Sequence, residues 1–204
     1  QTYIIRSDIS PLDASKTGAD FSICGDCKFR GTPTDDPKRK QAVKRDCYVN
    51  LGQGPTIVYK SFLRGRYPIA QAYAGDSFTV DQVQDLGRGR IVRLGTYGDP
   101  AAVPSSIWDR LISRAESHLA YTHQSGFRPD IAMQSADTKA QAVAHWNNGR
   151  RTFRVITDLG DIVKGKEILC PASKEAGRRV QCNACKLCGG NSTNSPKSIA
   201  IVQH

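Results

Sequence analysis

Arg90-Ile91-Val92-Arg93-Leu94-Gly95-Thr96 runs straight into Tyr97-Gly98-Asp99-Pro100. The first seven residues, with Ile91, Val92 and Leu94 apolar, read as a β-strand, and the next four read as the turn that ends it. Pro104 to Ser117 then places Ile107, Trp108, Leu111 and Ile112 at helical spacing, with Ser105 or Ser106 as a cap and Pro104 suited to a first turn. Strand, turn and helix are the unit of construction here, and the unit recurs.

Downstream, His118 to Thr122 and Asp130 to Ser135 read as strands. Asp137 to Asn148 reads as a helix carrying Ala140, Val143, Ala144 and Trp146, stopped by Asn147, Asn148 and Gly149. Thr152 to Thr157 and Ser198 to Val202 supply two further strands, and Met133 is a core residue of the fourth. Upstream, Thr56 to Phe62 reads as a first strand, Gly65 to Gly75 as a linker and Phe78 to Leu86 as a short helix. This order predicts an α/β fold, either a partial (βα)6-type barrel, which six strands fit somewhat better, or an open parallel sheet. In both, functional groups gather where strands end, at Asp99, His123, Asp137 and Asp158. The 204 residues are read as a single domain, with an N-terminal cysteine segment (1–55), a βα core (56–165) and a C-terminal cysteine segment with the last strand (166–204).

The seven cysteines stand in two sets, Cys24, Cys27 and Cys47 before the core and Cys170, Cys182, Cys185 and Cys188 after it. An odd count, a long chain and tight Cys-x-x-Cys steps suit metal ligation better than a disulfide framework. In the later set, Cys182-x2-Cys185-x2-Cys188 with Cys170-Pro171 gives four thiolates, arranged as a chain wraps a [4Fe-4S] cluster; a structural Zn(Cys)4 site is the alternative. Gly189 and Gly190 leave the backbone room to fold close. The earlier set has three thiolates and a vacant fourth position, which is either open to a bound molecule or completed by His or Asp around zinc. The imidazoles available are His118, His123, His145 and His204.

A net charge of +10 comes partly from two basic clusters, Lys38, Arg39, Lys40, Lys44 and Arg45, and Arg88, Arg90 and Arg93. They are expected to be either solvated charge compensating anionic thiolate sites or a nucleic-acid surface. Aromatic residues, 7% of the chain, do not interleave with them as a base-stacking platform requires. No run of about 18 apolar residues is present to cross a bilayer, and Gln1 to Ser10 is too polar for a secretory core. The expectation is a cytoplasmic protein whose thiols stay reduced, with no membrane partner. Gly87-Arg88-Gly89, Gly52-Gln53-Gly54 and Lys164-Gly165-Lys166 lack the glycine spacing of dinucleotide or phosphate loops.

The assembly Cys24-Gly-Asp-Cys27, Asp46-Cys47-Tyr48, Arg93 to Pro100, Tyr121-Thr122-His123, Cys170-Pro171 and Cys182-x2-Cys185-x2-Cys188 resembles small phage-encoded iron-sulfur proteins described as radical-SAM-like. The likeness spans almost the whole chain. It implies a partial (βα)6 barrel with a cluster at its mouth and Cys24, Cys27 and Cys47 as ligands of a cluster that binds S-adenosylmethionine (SAM). Tyr48 would be the aromatic beside it, and Gly98 and Asp99 would hold the SAM amino group. It also implies the cytoplasm of an infected bacterium and a substrate yet to be named. The spacing differs from that of radical SAM enzymes, which place three cysteines in one short loop, whereas nineteen residues separate Cys27 from Cys47.

Overall fold

The computed structural model describes residues 1–67, 80–178, 180–193 and 195–203. Its helices are α1 (Pro11–Thr17), α2 (Phe21–Cys24), α3 (Gly54–Leu63), α4 (Val80–Gly87), α5 (Ser105–Ile112), α6 (Lys139–Asn147) and α7 (Cys182–Cys185). Its strands are β1 (Ile91–Arg93), β2 (Ser117–Leu119), β3 (Tyr121–Thr122), β4 (Met133–Ala136), β5 (Thr152–Ile156), β6 (Glu167–Leu169) and β7 (Ser198–Val202).

Every strand pairing is parallel: β1 with β2, and a second ladder in the order β3-β4-β5-β7-β6. The two ladders meet at Ala120, the single residue between β2 and β3. Its N–H leaves the strand to bond the Cys188 carbonyl, while its own carbonyl accepts from Met133 N–H. The result is an α/β protein built on parallel sheets of two and five strands, compatible with an open arrangement. Among the described residues no pairing joins β1 to β6. Parallel strands need cover on both faces, and the buried side chains fall in two groups. One holds Leu51, Leu94, Tyr97, Trp108 and Ile131. The other holds Leu119, Met133 and Ile199 together with Cys170 and Cys188, so two thiols belong to the packed interior.

Several sequence expectations change. Thr56 to Phe62 lies within α3: Pro55 sits in the first helical turn and is buried, and the Thr56 hydroxyl donates back to Leu51 O at 2.6 Å. Local start chemistry outweighs the β-propensity of Thr56, Ile57 and Val58, and Ile57 and Leu63 are left exposed. His118 to Thr122 is two strands because the chain turns aside at Ala120 for Cys188. The strand expected at Asp130 to Ser135 begins at Met133, after a turn in which Ile131 and Ala132 N–H bond Arg128 O. β6 was not foreseen; its only charged residue, Glu167, is buried and paired with Arg154 at 2.6 Å. The helices at Ser105–Ile112 and Lys139–Asn147 fall where expected, the latter opened by a capping box between Thr138 and Gln141. Residues 68–75 of the linker, residues 78 and 79 of the next helix, and His204 lie outside the described residues. No helix among the described residues is long and apolar enough to cross a membrane.

Candidate metal centres

The turn after β1 builds the seat of the first cysteine set. Asp99 N–H donates to Ile23 O at 2.7 Å. Its buried carboxylate caps the short helical turn Pro100–Ala102: Oδ1 accepts from Ala101 N–H at 2.9 Å and from the Thr122 hydroxyl at 2.6 Å, and Oδ2 accepts from His123 N–H at 2.8 Å. Asp99 therefore ties the ends of β1 and β3 together through its carboxylate and to the segment that carries Cys24 through its backbone N–H. Gly98 adopts φ +82°, and a Cβ there would come within 2.6 Å of Ile4 Cβ, so the N-terminal segment packs directly on this turn.

Cys24 ends α2. The chain then reverses at Gly25, φ +57°, where a Cβ would collide with the Gln124 amide, which itself donates to Cys24 O at 3.2 Å. Arg30 closes the turn, donating to Gly25 O and to the buried Asp20 at 2.9 Å. The nineteen residues after Cys27 go out and come back: Thr32 and Val43 exchange hydrogen bonds, and Cys47 N–H bonds Phe29 O at 3.1 Å. Arg45 then grips the carbonyls of Cys47 and Val49. The three thiols are thereby brought within electrostatic reach of one another. Burial pushes Cys24 and Cys47 above the usual thiol range, with neighbouring negative charge adding to the effect at Cys24; at Cys47 the Arg45 guanidinium and the Val49 N–H work against burial.

His123, at the end of β3, reaches the same place. Its Nε2 lies 3.6 Å from Asp137 Oδ1, and its ring stands edge-on to Phe29 with centroids 6.0 Å apart. Burial opposes a charge on this imidazole, yet Asp137 and Cys27 together raise its pKa to about 9. Asp137 also meets Lys28 Nζ at 3.4 Å, and although burial works against its charge, these two cations hold it below the usual carboxylate range. Of the four groups expected at strand ends, Asp99, His123 and Asp137 come together. Asp158 instead caps a separate turn, accepting from Gly160 N–H at 2.6 Å.

The second cysteine set lies against the sheet. Cys170 N–H continues β6 by bonding Ala200 O at 2.8 Å; the Ala172 backbone N–H lies near its sulfur, while Ser173 N–H donates to Cys170 O at 2.9 Å. Cys182 and Cys185 begin and end α7; Lys186, φ +54°, turns the chain toward Cys188, and its ammonium pairs with Glu116. The Tyr121 hydroxyl stands beside the Cys188 sulfur and favours its charged form, and Arg93 Nη2 donates to Cys182 Sγ at 3.2 Å. Burial pushes the Cys188 thiol up to about 12. Cys170, Cys182, Cys185 and Cys188 all lie within electrostatic reach of one another. Arg151 anchors the segment that follows, donating to the carbonyls of Leu187, Gly190 and Lys197.

Arg93 is also the link between the two sets. It donates to Cys182 on one side, and on the other its charge reaches the Tyr48 phenol, beside Cys47. Tyr48 exposes 74% of its surface, so it forms the outer wall of this junction rather than part of the core. Of the basic clusters, Arg45 and Arg93 are used internally, and Arg88 pairs with Asp85. Lys38, Arg39, Lys40 and Lys44 are exposed.

A scan against models of protein families finds no match, and neither curated proteins nor solved structures return one. The chemistry of the donors must carry the reading. Among the described residues, no three or more His, Cys, Asp or Glu side chains converge tightly enough to hold a single metal ion. A four-iron cluster bonds each thiolate to a different iron and spreads its ligands wider than one tetrahedral ion does. Buried polar atoms lacking partners stand near both sets: the Tyr97 hydroxyl close to Cys24, and Ser173 Oγ three residues after Cys170. Gln124 and Arg151 carry no warning in the sequence beyond being polar residues near strand ends, and Arg93 and Tyr121, legible there as part of a basic cluster and of a strand, are placed at the cysteines only by the fold.

Proposed function

We propose that this is an iron-sulfur protein carrying a [4Fe-4S] cluster on Cys170, Cys182, Cys185 and Cys188 and a second on Cys24, Cys27 and Cys47. The observation that carries this reading is the set of donors turned toward sulfur in the four-cysteine group. Cys182 accepts from Arg93 at 3.2 Å, the Tyr121 hydroxyl stands beside Cys188, and the Ala172 backbone N–H lies near Cys170. Hydrogen bonds to thiolate sulfur stabilise the charged form and set the potential of an iron-sulfur centre. Zinc at either group is the alternative metal.

Two forms of this reading differ in what the three-cysteine site does. In the enzymatic form, akin to radical SAM enzymes, Cys24, Cys27 and Cys47 would hold a cluster able to bind SAM and to supply one-electron chemistry toward an unidentified substrate. Tyr48 would flank the ligand, and Gly98 and Asp99 would receive its amino group. In the second form the clusters staple the fold, and the exposed Lys38, Arg39, Lys40 and Lys44 engage nucleic acid or an acidic partner. The second form is favoured by one observation: both Asp99 oxygens already accept bonds from Thr122, Ala101 and His123, which leaves this carboxylate committed to the fold.

Addition of SAM to the reduced, anaerobically purified protein, followed by EPR, separates the two. A changed spectrum supports the enzymatic form. An unchanged spectrum together with salt-sensitive binding to DNA or RNA supports the second, the log-log slope counting the phosphates neutralised.

A further inference from the structure

Resting on the reading of Cys24, Cys27 and Cys47 as cluster ligands, we propose that His123 is the fourth protein ligand of that site, closing it as a Cys3His centre.

The geometry has three parts. The imidazole stands 3.6 Å from the Asp137 carboxylate, with the Cys27 thiol near enough to act on its charge. Its Nε2 is buried and faces Asp137 Oδ1 at 3.6 Å, just beyond hydrogen-bond reach. A buried ring nitrogen without a partner is costly, and a metal held by Nδ1 would leave Nε2–H to close on Asp137. The ring's position is also fixed from behind: His123 N–H is held by Asp99 at 2.8 Å and the ring edge by Phe29.

Histidines that ligate metals commonly present their other ring nitrogen to a carboxylate, which fixes ring orientation and raises ligand basicity. Asp137, itself held by Lys28 at 3.4 Å, is placed for that role and is the positioning residue. The nineteen-residue excursion after Cys27 returns Cys47 to Phe29, whose carbonyl accepts from Cys47 N–H at 3.1 Å and whose ring meets His123, so Phe29 adjoins both Cys47 and His123. A closed Cys3His centre has no iron position free for SAM, so the proposal selects the second of the two functional forms.

The test is pulsed EPR on the reduced, anaerobically purified full chain labelled with 15N-histidine, paired with iron counts. The expected result is a strongly coupled imidazole nitrogen that disappears in His123→Ala. His123→Cys should keep the wild-type iron content and lack the nitrogen signal, which separates ligation from a folding defect. Asp137→Asn should retain the coupling while iron is lost to a competing chelator about 10–100-fold more readily. Absence of the coupling in the wild type, or its persistence in His123→Ala, overturns the proposal while leaving the three-cysteine cluster intact if Cys24→Ala still lowers the iron count. An iron count unmoved by Cys24→Ala overturns the cluster assignment itself and the His123 proposal with it.

Discussion

Replacing Asp99 tests whether this carboxylate serves the fold or a bound ligand. Three donors converge on it: the Thr122 hydroxyl at 2.6 Å, His123 N–H at 2.8 Å and Ala101 N–H at 2.9 Å. A hydrogen bond to a charged group contributes about 1.5–3 kcal/mol, and donors left buried without a partner are penalised further. Thr122 is 1% exposed and has no water to turn to, whereas the turn at Ala101 is partly open. Discounting the more exposed bond and the lack of additivity, Asp99→Ala should destabilise the protein by about 3–5 kcal/mol. Asp99→Asn keeps an acceptor for Thr122 and Ala101 but sets an amide N–H2 against His123 N–H, a loss of about 1.5–3 kcal/mol, the worth of one charged bond. Urea unfolding under anaerobic conditions measures both. Trp108 provides a local report, because its indole N–H bonds Pro100 O at 2.8 Å inside the turn that Asp99 caps. The Trp108 resonance of 5-fluorotryptophan-labelled protein should therefore shift in both variants. Stability within about 0.5 kcal/mol of wild type, the range of an ordinary surface change, together with an unmoved Trp108 resonance, would refute the structural role and return Asp99 to the ligand.

Three further outcomes follow from the same structure. Arg93→Met removes the cation that donates to Cys182 Sγ at 3.2 Å, so the C-terminal cluster should become harder to reduce, seen as a more negative midpoint in a redox titration; an unchanged midpoint contradicts the contact. Glu167→Ala leaves Arg154, whose side chain is 5% exposed, without its carboxylate partner in the interior and should cost about 3–5 kcal/mol in urea unfolding. Burial raises Cys24, Cys47 and Cys170, and Cys188 up to about 12. These thiols are protonated at neutral pH in the metal-free chain and must release protons to bind metal, so apparent metal affinity should rise steeply with pH across the neutral range and calorimetry in buffers of different ionisation enthalpy should detect the protons released.

The sequence made the parallel α/β plan legible because its apolar runs are short and punctuated: Ile91 to Leu94 before Tyr97-Gly98-Asp99-Pro100, and the helix at Ser105–Ile112 after it. It failed where local and tertiary signals disagree. Thr56 to Val58 carry strand-like side chains, but a proline in the first turn and a back-bonding threonine make them helical. β6 is three residues long and places a charged glutamate in the interior, a choice that becomes intelligible only once Arg154 is seen beside it. Both cysteine sets could be named in advance from spacing, whereas their surroundings could not. The Thr32–Val43 pairing that returns Cys47 to Cys27, and the Arg93 bond to Cys182 across 89 residues of sequence, are products of the tertiary fold. Asp99 is legible in the sequence as a residue of the turn after β1, whereas its three internal donors are a product of the tertiary fold.

The most direct measurement is the iron, zinc and acid-labile sulfide content of anaerobically purified protein, alongside Cys24→Ala and Cys182→Ala. The account predicts about eight irons and eight sulfides per chain, four at each cysteine set, with each variant losing about half. Zinc without sulfide, or a metal content indifferent to both substitutions, would contradict it.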